Sequence, residues 1–195
     1  MQVHQRRLWA AALGAICLLW AGLAFGAEFS ATLISKVGGQ EIPGKVFVKG
    51  TNVRNEVQAM GQSGIHITRL DKKLTYIILP QQQAYTEMPI TGDLQKNMMT
   101  LTDKDKAKLK KIGEDTISGF VCDKYETTLS HQGQPLNFTI WIARDLGVPV
   151  KVISADGTFG MEYKDIKQEQ VADSLFEPPS GFRRVQVPFA LPPSK

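Results

Sequence analysis

His66 and His131 are the residues outside the N-terminal leader best suited to move a proton or hold a metal, and their surroundings favour neither role. Half the domain separates them, and no carboxylate or cysteine stands at ligand spacing around either. None of the glycine-flanked serines forms the Gly-x-Ser-x-Gly turn that presents a nucleophile. Asp103-Lys104-Asp105 with Glu114 matches the first, third and twelfth places of a calcium loop. Lys108 occupies the place of the turn glycine, and Ala107 replaces an oxygen ligand, so a cation would be repelled. No metal, cofactor or catalytic centre is expected, and the chain is not read as an enzyme.

The remaining chemistry is that of binding. Met60, Met88, Met98, Met99 and Met161 are adaptable thioethers that fill a core or line an apolar site for acyl chains. Met98 and Met99 are adjacent, and on a helix neighbours cannot both face one narrow core stripe. Trp141 suits a structural stack or a ligand platform. Asn137-Phe138-Thr139 is a short glycosylation pattern that matters only in a eukaryotic secretory pathway. The lysines at 104, 106, 108, 110 and 111 spread around a helix rather than along one face, which describes a solvated segment.

The elements that must position these residues are strands. Between Phe29 and Met88, apolar and polar residues alternate with period two and are interrupted by Gly38-Gly39, Gly50, Gly61 to Gly64 and Asp71-Lys72-Lys73. Six strands fit, joined too closely for crossover helices, so the pairing is antiparallel. Pro89, Gly92 and the spacing of Leu94, Met98, Met99 and Leu101 predict one or two short helices within 89–111, a candidate lid from Asp93 to Lys111. Strands resume over Thr116–Phe120, Cys122–Leu129, Leu136–Ala143, Val148–Ser154 and Thr158–Lys164. The apolar face Leu136, Phe138, Ile140 and Ile142 predicts a central strand, and Asp156-Gly157 a two-residue hairpin. A proline-rich tail follows.

The first 26 residues set the compartment. His4, Arg6 and Arg7 precede an uncharged apolar run, Leu8 to Phe25, and Ala24-Phe25-Gly26 places small residues where a signal peptidase cuts. Cleavage is the reading adopted; the alternative is an inner-membrane anchor over 8–25. Ile16 before Cys17 excludes a lipoprotein signal. Cleavage removes Arg6 and Arg7, two of the +4 formal charge, and leaves Cys122 as a lone cysteine, read as a buried apolar residue. Scattered lysines and export argue against nucleic acid as a partner. The division is therefore a signal peptide over 1–26, one antiparallel β domain over 27–185, and a tail over 186–195.

Three stretches carry a resemblance: Gly113 to Tyr125, Trp141 to Lys151, and Leu175 to Phe182. Together they resemble an uncharacterised family of exported bacterial proteins, a domain of unknown function that looks like the lipoprotein carriers LolA and LolB. The resemblance implies a mainly β (α+β) fold: a single strongly curved antiparallel sheet, an incomplete barrel of about 10–11 strands, with short helices on its concave side and an apolar cavity between. It implies a periplasmic monomer that binds a lipid, a lipoprotein acyl chain or another hydrophobic ligand. Ile65, Ile67, Tyr76, Ile78, Met98, Met99, Phe138 and Ile140 are the candidate lining. The alternative is an envelope interaction or stress-related protein with a solid core and a protein partner.

Overall fold

The computed structural model describes residues 26–59, 62–90, 109–131 and 134–186. Residues 91–108, which hold most of the predicted helices and lid with Met98 and Met99, all of the leader but Gly26 and all of the tail but Gln186 lie outside the described residues. Among the described residues, twelve strands form one open, curved sheet, the architecture expected from the sequence with one or two strands more.

The first six strands are a meander: β1 (Glu28–Val37), β2 (Gln40–Lys49), β3 (Asn52–Ala59), β4 (Gln62–Arg69), β5 (Leu74–Leu79) and β6 (Ala84–Pro89). Gly38 and Gly39 both have positive φ, the conformation of a tight hairpin turn matched to strand twist. A second meander follows: β7 (Lys110–Ile117), β8 (Phe120–His131), β9 (Gln134–Ala143), β10 (Pro149–Ser154) and β11 (Gly160–Gln168). β1 pairs with β11 as well as β2, joining the halves in the order β12-β6-β5-β4-β3-β2-β1-β11-β10-β9-β8-β7. β12 (Arg183–Arg184) runs parallel to β6 and covers that edge.

Four local expectations are corrected. The turn at Asp156-Gly157 is longer than two residues, because Asp156 accepts from the Thr158 N–H and hydroxyl and holds residues 155–159 as a loop, so β11 begins only at Gly160. The strand placed over Thr116–Phe120 lies earlier, because Ser118 and Gly119 take positive φ and turn the chain into β8. The stretch from Lys110, read as the end of a helical insertion, is extended instead. β9 is third from the β7 edge rather than central, and its Leu136 is exposed. Its inner residues are apolar because β8 and β10 flank it and both faces are covered: Trp141, on the face opposite Ile140, is buried as well.

The sheet divides into two faces by alternation, interrupted by register shifts at Ser30/Thr32, Pro149/Lys151 and Lys111/Gly113. One carries Phe29, Leu33, Val46, Val48, Val53 and Tyr163, all buried, continued by Phe138, Ile140, Ile142 and Val152. The other is mostly charged, with Lys45, Lys124, Lys151, Glu162 and Lys164, until it turns apolar across β4–β6. There a short 3-10 turn, Asp173–Phe176, and the chain around it lie against the strands.

Candidate ligand-binding site

The candidate lining residues fall on different faces. Ile65 pairs with Ile78 and Ile67 with Tyr76, so these four share the second face. Ile67 and Ile78 are wholly buried and Tyr76 nearly so, packed with Val171, Leu175, Phe176 and Phe182. Cations hold this C-terminal strap in place. Arg54 Nη1 donates to the Leu175 carbonyl at 2.9 Å, Arg69 Nη1 to the Phe176 carbonyl at 3.2 Å, and Lys49 Nζ to the Val171 carbonyl at 3.1 Å. Glu177 pairs with Arg69 and, at 2.7 Å, with Lys72. The hydrogen bonds that its guanidinium donates to Asp71 and Glu177 raise the Arg69 pKa above its usual range. Phe138 and Ile140 lie on the first face, clustered with Ile142 and Val152.

A recess opens on that first face at the other half of the sheet. Its volume is about 220 Å³, and Leu33, Ser35, Asn55, Val57, His66, Thr68 and Thr75 line it. The register explains it. Leu33, Gly44, Val57 and Gly64 form one row across β1–β4, and two of the four places carry no side chain. Gly44 is required, because a Cβ there would stand 2.3 Å from the Glu56 carbonyl oxygen. In the adjoining rows Asn55 pairs with His66 and Thr68 with Thr75, which concentrates polar groups on an otherwise apolar face.

The chemistry of the recess is neutral. No Asp, Glu, Lys or Arg is among the lining residues given above, and the flanking charges of β2 and β3, Lys45, Arg54 and Glu56, belong to the opposite face. Asn55 Oδ1 and Thr75 Oγ1 are buried and, among the described residues, have no hydrogen-bond partner. Thr75 itself is 4% exposed. His66 stands at the rim with an exposed edge, and the protein crowded against its ring lowers its pKa, favouring the neutral imidazole. Sequence reasoning missed Asn55 and Thr75. The available signal was Val53-x-Asn55-x-Val57, a carboxamide in mid-strand where alternation calls for an apolar residue.

A larger cleft, about 490 Å³, lies at the strand end formed by Gly26 to Glu28, Asp145, Leu146 and Gln168 to Gln170. Glu28 there accepts from the Val171 N–H at 2.8 Å, and Glu169 from Ser30, so both carboxylates are engaged. Of the predicted lining residues that are described, Ile65, Ile67, Tyr76, Ile78, Phe138 and Ile140, none borders either cavity. Trp141 is a structural stack: Nε1 donates to Asp115 at 3.3 Å, and the Lys124 and Lys151 ammoniums sit 5.1 and 5.4 Å from the ring centre. Cys122 is buried, its thiol donating to the Phe120 carbonyl, and burial pushes its pKa up. Glu114 pairs with Lys111 and Arg144, and the same two cations hold Asp123 down at about 2.

A family model described as a domain of unknown function, DUF4412, matches residues 32–148, more than half of the chain. The chain belongs to the DUF4412 family. The DUF4412 span includes every residue named at the recess, from Leu33 to Thr75, and stops before the C-terminal strap. Against the curated proteins there is no significant match. Among solved structures, an uncharacterised conserved protein from Thermus thermophilus superimposes with a TM-score of 0.56 at 14% identity, covering 90% of this chain and 98% of that one. A chain of the Pseudomonas aeruginosa MucA/MucB complex superimposes with a TM-score of 0.51 at 16% identity, over 82% of this chain and 58% of that one. This chain thus spans little more than half of that protein. A proposed outer membrane lipoprotein-sorting protein domain from Vibrio parahaemolyticus is also similar, at a TM-score of 0.38 and 9% identity, covering 78% and 90%. Among the described residues, no helix is long and apolar enough to cross a membrane.

Proposed function

We propose that this protein is exported to the periplasm and binds a hydrophobic or amphipathic small molecule, a lipid or acyl-chain compound, without catalysing a reaction. The observation that carries this reading is the recess on the first face. Leu33 and Val57 give it an apolar side, Ser35, Asn55 and His66 a polar one, and the apolar sheet face continues beside it. At about 220 Å³ it is smaller than the roughly 300 Å³ or more typical of sites that enclose a drug-sized ligand, so it suits one end of such a molecule. Each methylene removed from water adds about 0.8 kcal/mol, so a short buried length of chain gives useful affinity. The test is native mass spectrometry of the mature protein purified from its host, followed by lipid extraction and titration with a fluorescent fatty acid and a fluorescent monoacylglycerol. Co-purifying lipid or saturable uptake of either probe is expected. A clean protein that takes up neither overturns the proposal.

A second reading has support of its own. Val37 and Phe159 are each 51% exposed and lie at the same end of the sheet as Leu136, where the Gly39 N–H donates to the Thr158 carbonyl at 3.0 Å. The fold likeness to a chain of the MucA/MucB complex, a protein assembly, makes this apolar tip a candidate contact for an envelope protein. Loss of a co-purifying protein on Phe159→Ser, with lipid binding unchanged, would support it.

A further inference from the structure

Resting on the export reading above, we infer that the fold seals its own processing site: the leader is cut between Gly26 and Ala27 only while the chain is open, and a chain that folds first keeps it. The step is a hydrolysis. Water adds across the Gly26–Ala27 amide, leaving a carboxylate on Gly26 and an ammonium on Ala27, and a signal peptidase supplies the catalytic groups. Two features of the fold govern whether that bond can be reached.

The first is how closely the sheet approaches it. Gly26 is exposed, but the chain after it is not free. The Ala27 carbonyl accepts from the Gly50 N–H at 2.8 Å, and Ala27 packs against the core. Strand β1 begins at the next residue, Glu28. Glu28 pairs with Lys49, and Phe29 with Val48 on one side and Gln168 on the other. Phe29 is wholly buried. The Glu28 carboxylate accepts from the Val171 N–H at 2.8 Å, so β2, β11 and the strap all hold this stretch. A peptidase needs the backbone on both sides of its bond extended and unpaired, and here the side after the bond is already paired. Cutting a folded chain therefore follows the population in which the start of β1 has come away.

The second is Gly26 itself. A Cβ at this position would stand 2.9 Å from the Gly50 Cα, nearer than side chains come to backbone. Gly50 takes positive φ in the turn between β2 and β3, so it is not free to move aside. Glycine at 26 thus satisfies two demands: the peptidase requires a small side chain before the cut, and the fold accepts none.

Full-length precursor made by cell-free synthesis in detergent micelles, given purified signal peptidase either during synthesis or after folding, tests this, with the product weighed by mass spectrometry. The folded precursor is expected to be cut more slowly than the nascent chain by roughly tenfold or more. Unfolding it in urea and diluting it into peptidase should restore the nascent rate. Gly26→Ala keeps a residue that the peptidase accepts but sets a Cβ against Gly50. Its folded precursor, measured against its own nascent rate, should be cut faster than the folded parent by roughly threefold or more. Both precursors release the same mature chain, so the difference arises before the cut. Equal rates for the nascent and folded parent, a rate that stays low after unfolding, or a folded Gly26→Ala precursor no more susceptible than the parent overturns the inference and leaves the export reading standing. Absence of a cut after Gly26 in every form overturns both.

Discussion

Tyr163 shows how a single buried side chain ties the core to pH. Its ring packs against Phe29, centroids 5.9 Å apart, and burial pushes the phenol up to about 12. In the unfolded chain the phenol ionises near 10. The protonated form is thus the one the fold accepts: stability is complete below about pH 10 and is lost as pH rises through about 12. The loss is on the order of 3 kcal/mol. Urea unfolding of the parent and of Tyr163→Phe across this range should show a falling midpoint in the parent and a flatter one in the variant; parallel profiles would assign the effect elsewhere. At this scale the sequence was legible where chemistry meant apolar burial. Cys122 reads as buried and is buried. Asn55 and Thr75 were not legible, because a polar residue in a strand reads as solvent-facing until the register shows which face it shares with Val46 and Val53.

Among the elements, the C-terminal strap contributes most to burying the second face. Phe176 is 1% exposed and closes over Ile67 and Ile78, both at 0%. Removing a buried phenyl ring typically costs about 3–5 kcal/mol, part of it from the cavity left behind. Phe176→Ala should therefore lower the unfolding free energy measured in urea by that order and admit a hydrophobic dye over β4 and β5. A change below about 1 kcal/mol, with no dye uptake, would show that the strap is not part of the core. The alternation of β4 and β5 predicts that Ile65, Ile67, Tyr76 and Ile78 lie on one side, and they do. Period two, however, gives two faces and does not say which one a distant segment will cover. The covering residues, Val171 to Phe182, come more than a hundred positions after Ile67, and their apolar spacing matches no helix or strand period. The hairpins were legible from turn chemistry, with two failures. Asp156-Gly157 predicts a two-residue turn, but Ile153 pairs with Gly160 and the connection runs over residues 155–159. Ser118 takes a left-handed conformation that a serine does not advertise, and the predicted strand ran through it.

On the scale of the whole molecule, an open sheet has two edges, and each is managed differently. β7 carries Lys110, Lys111, Glu114 and Asp115 and is irregular between Lys111 and Gly113, which discourages pairing with another chain. β6 is covered by the chain itself: the Arg183 N–H donates to Gln83 at 3.0 Å and the Val185 N–H to Tyr85 at 2.8 Å. Removing residues 183–195 should expose that backbone and produce self-associating species, visible by light scattering after size exclusion. A truncated chain that stays monomeric at high concentration would show that β12 does not guard the edge. The junction of the two meanders has a further consequence, for the time course of folding. Phe29 pairs with Gln168, so the first strand to be synthesised keeps one side open until the eleventh exists. Nearly the whole chain must be available before the sheet can be joined, and contacts so distant in sequence form slowly. Until then β1 presents an unpaired backbone flanked by Phe29 and Leu33, the kind of surface that chaperones shield.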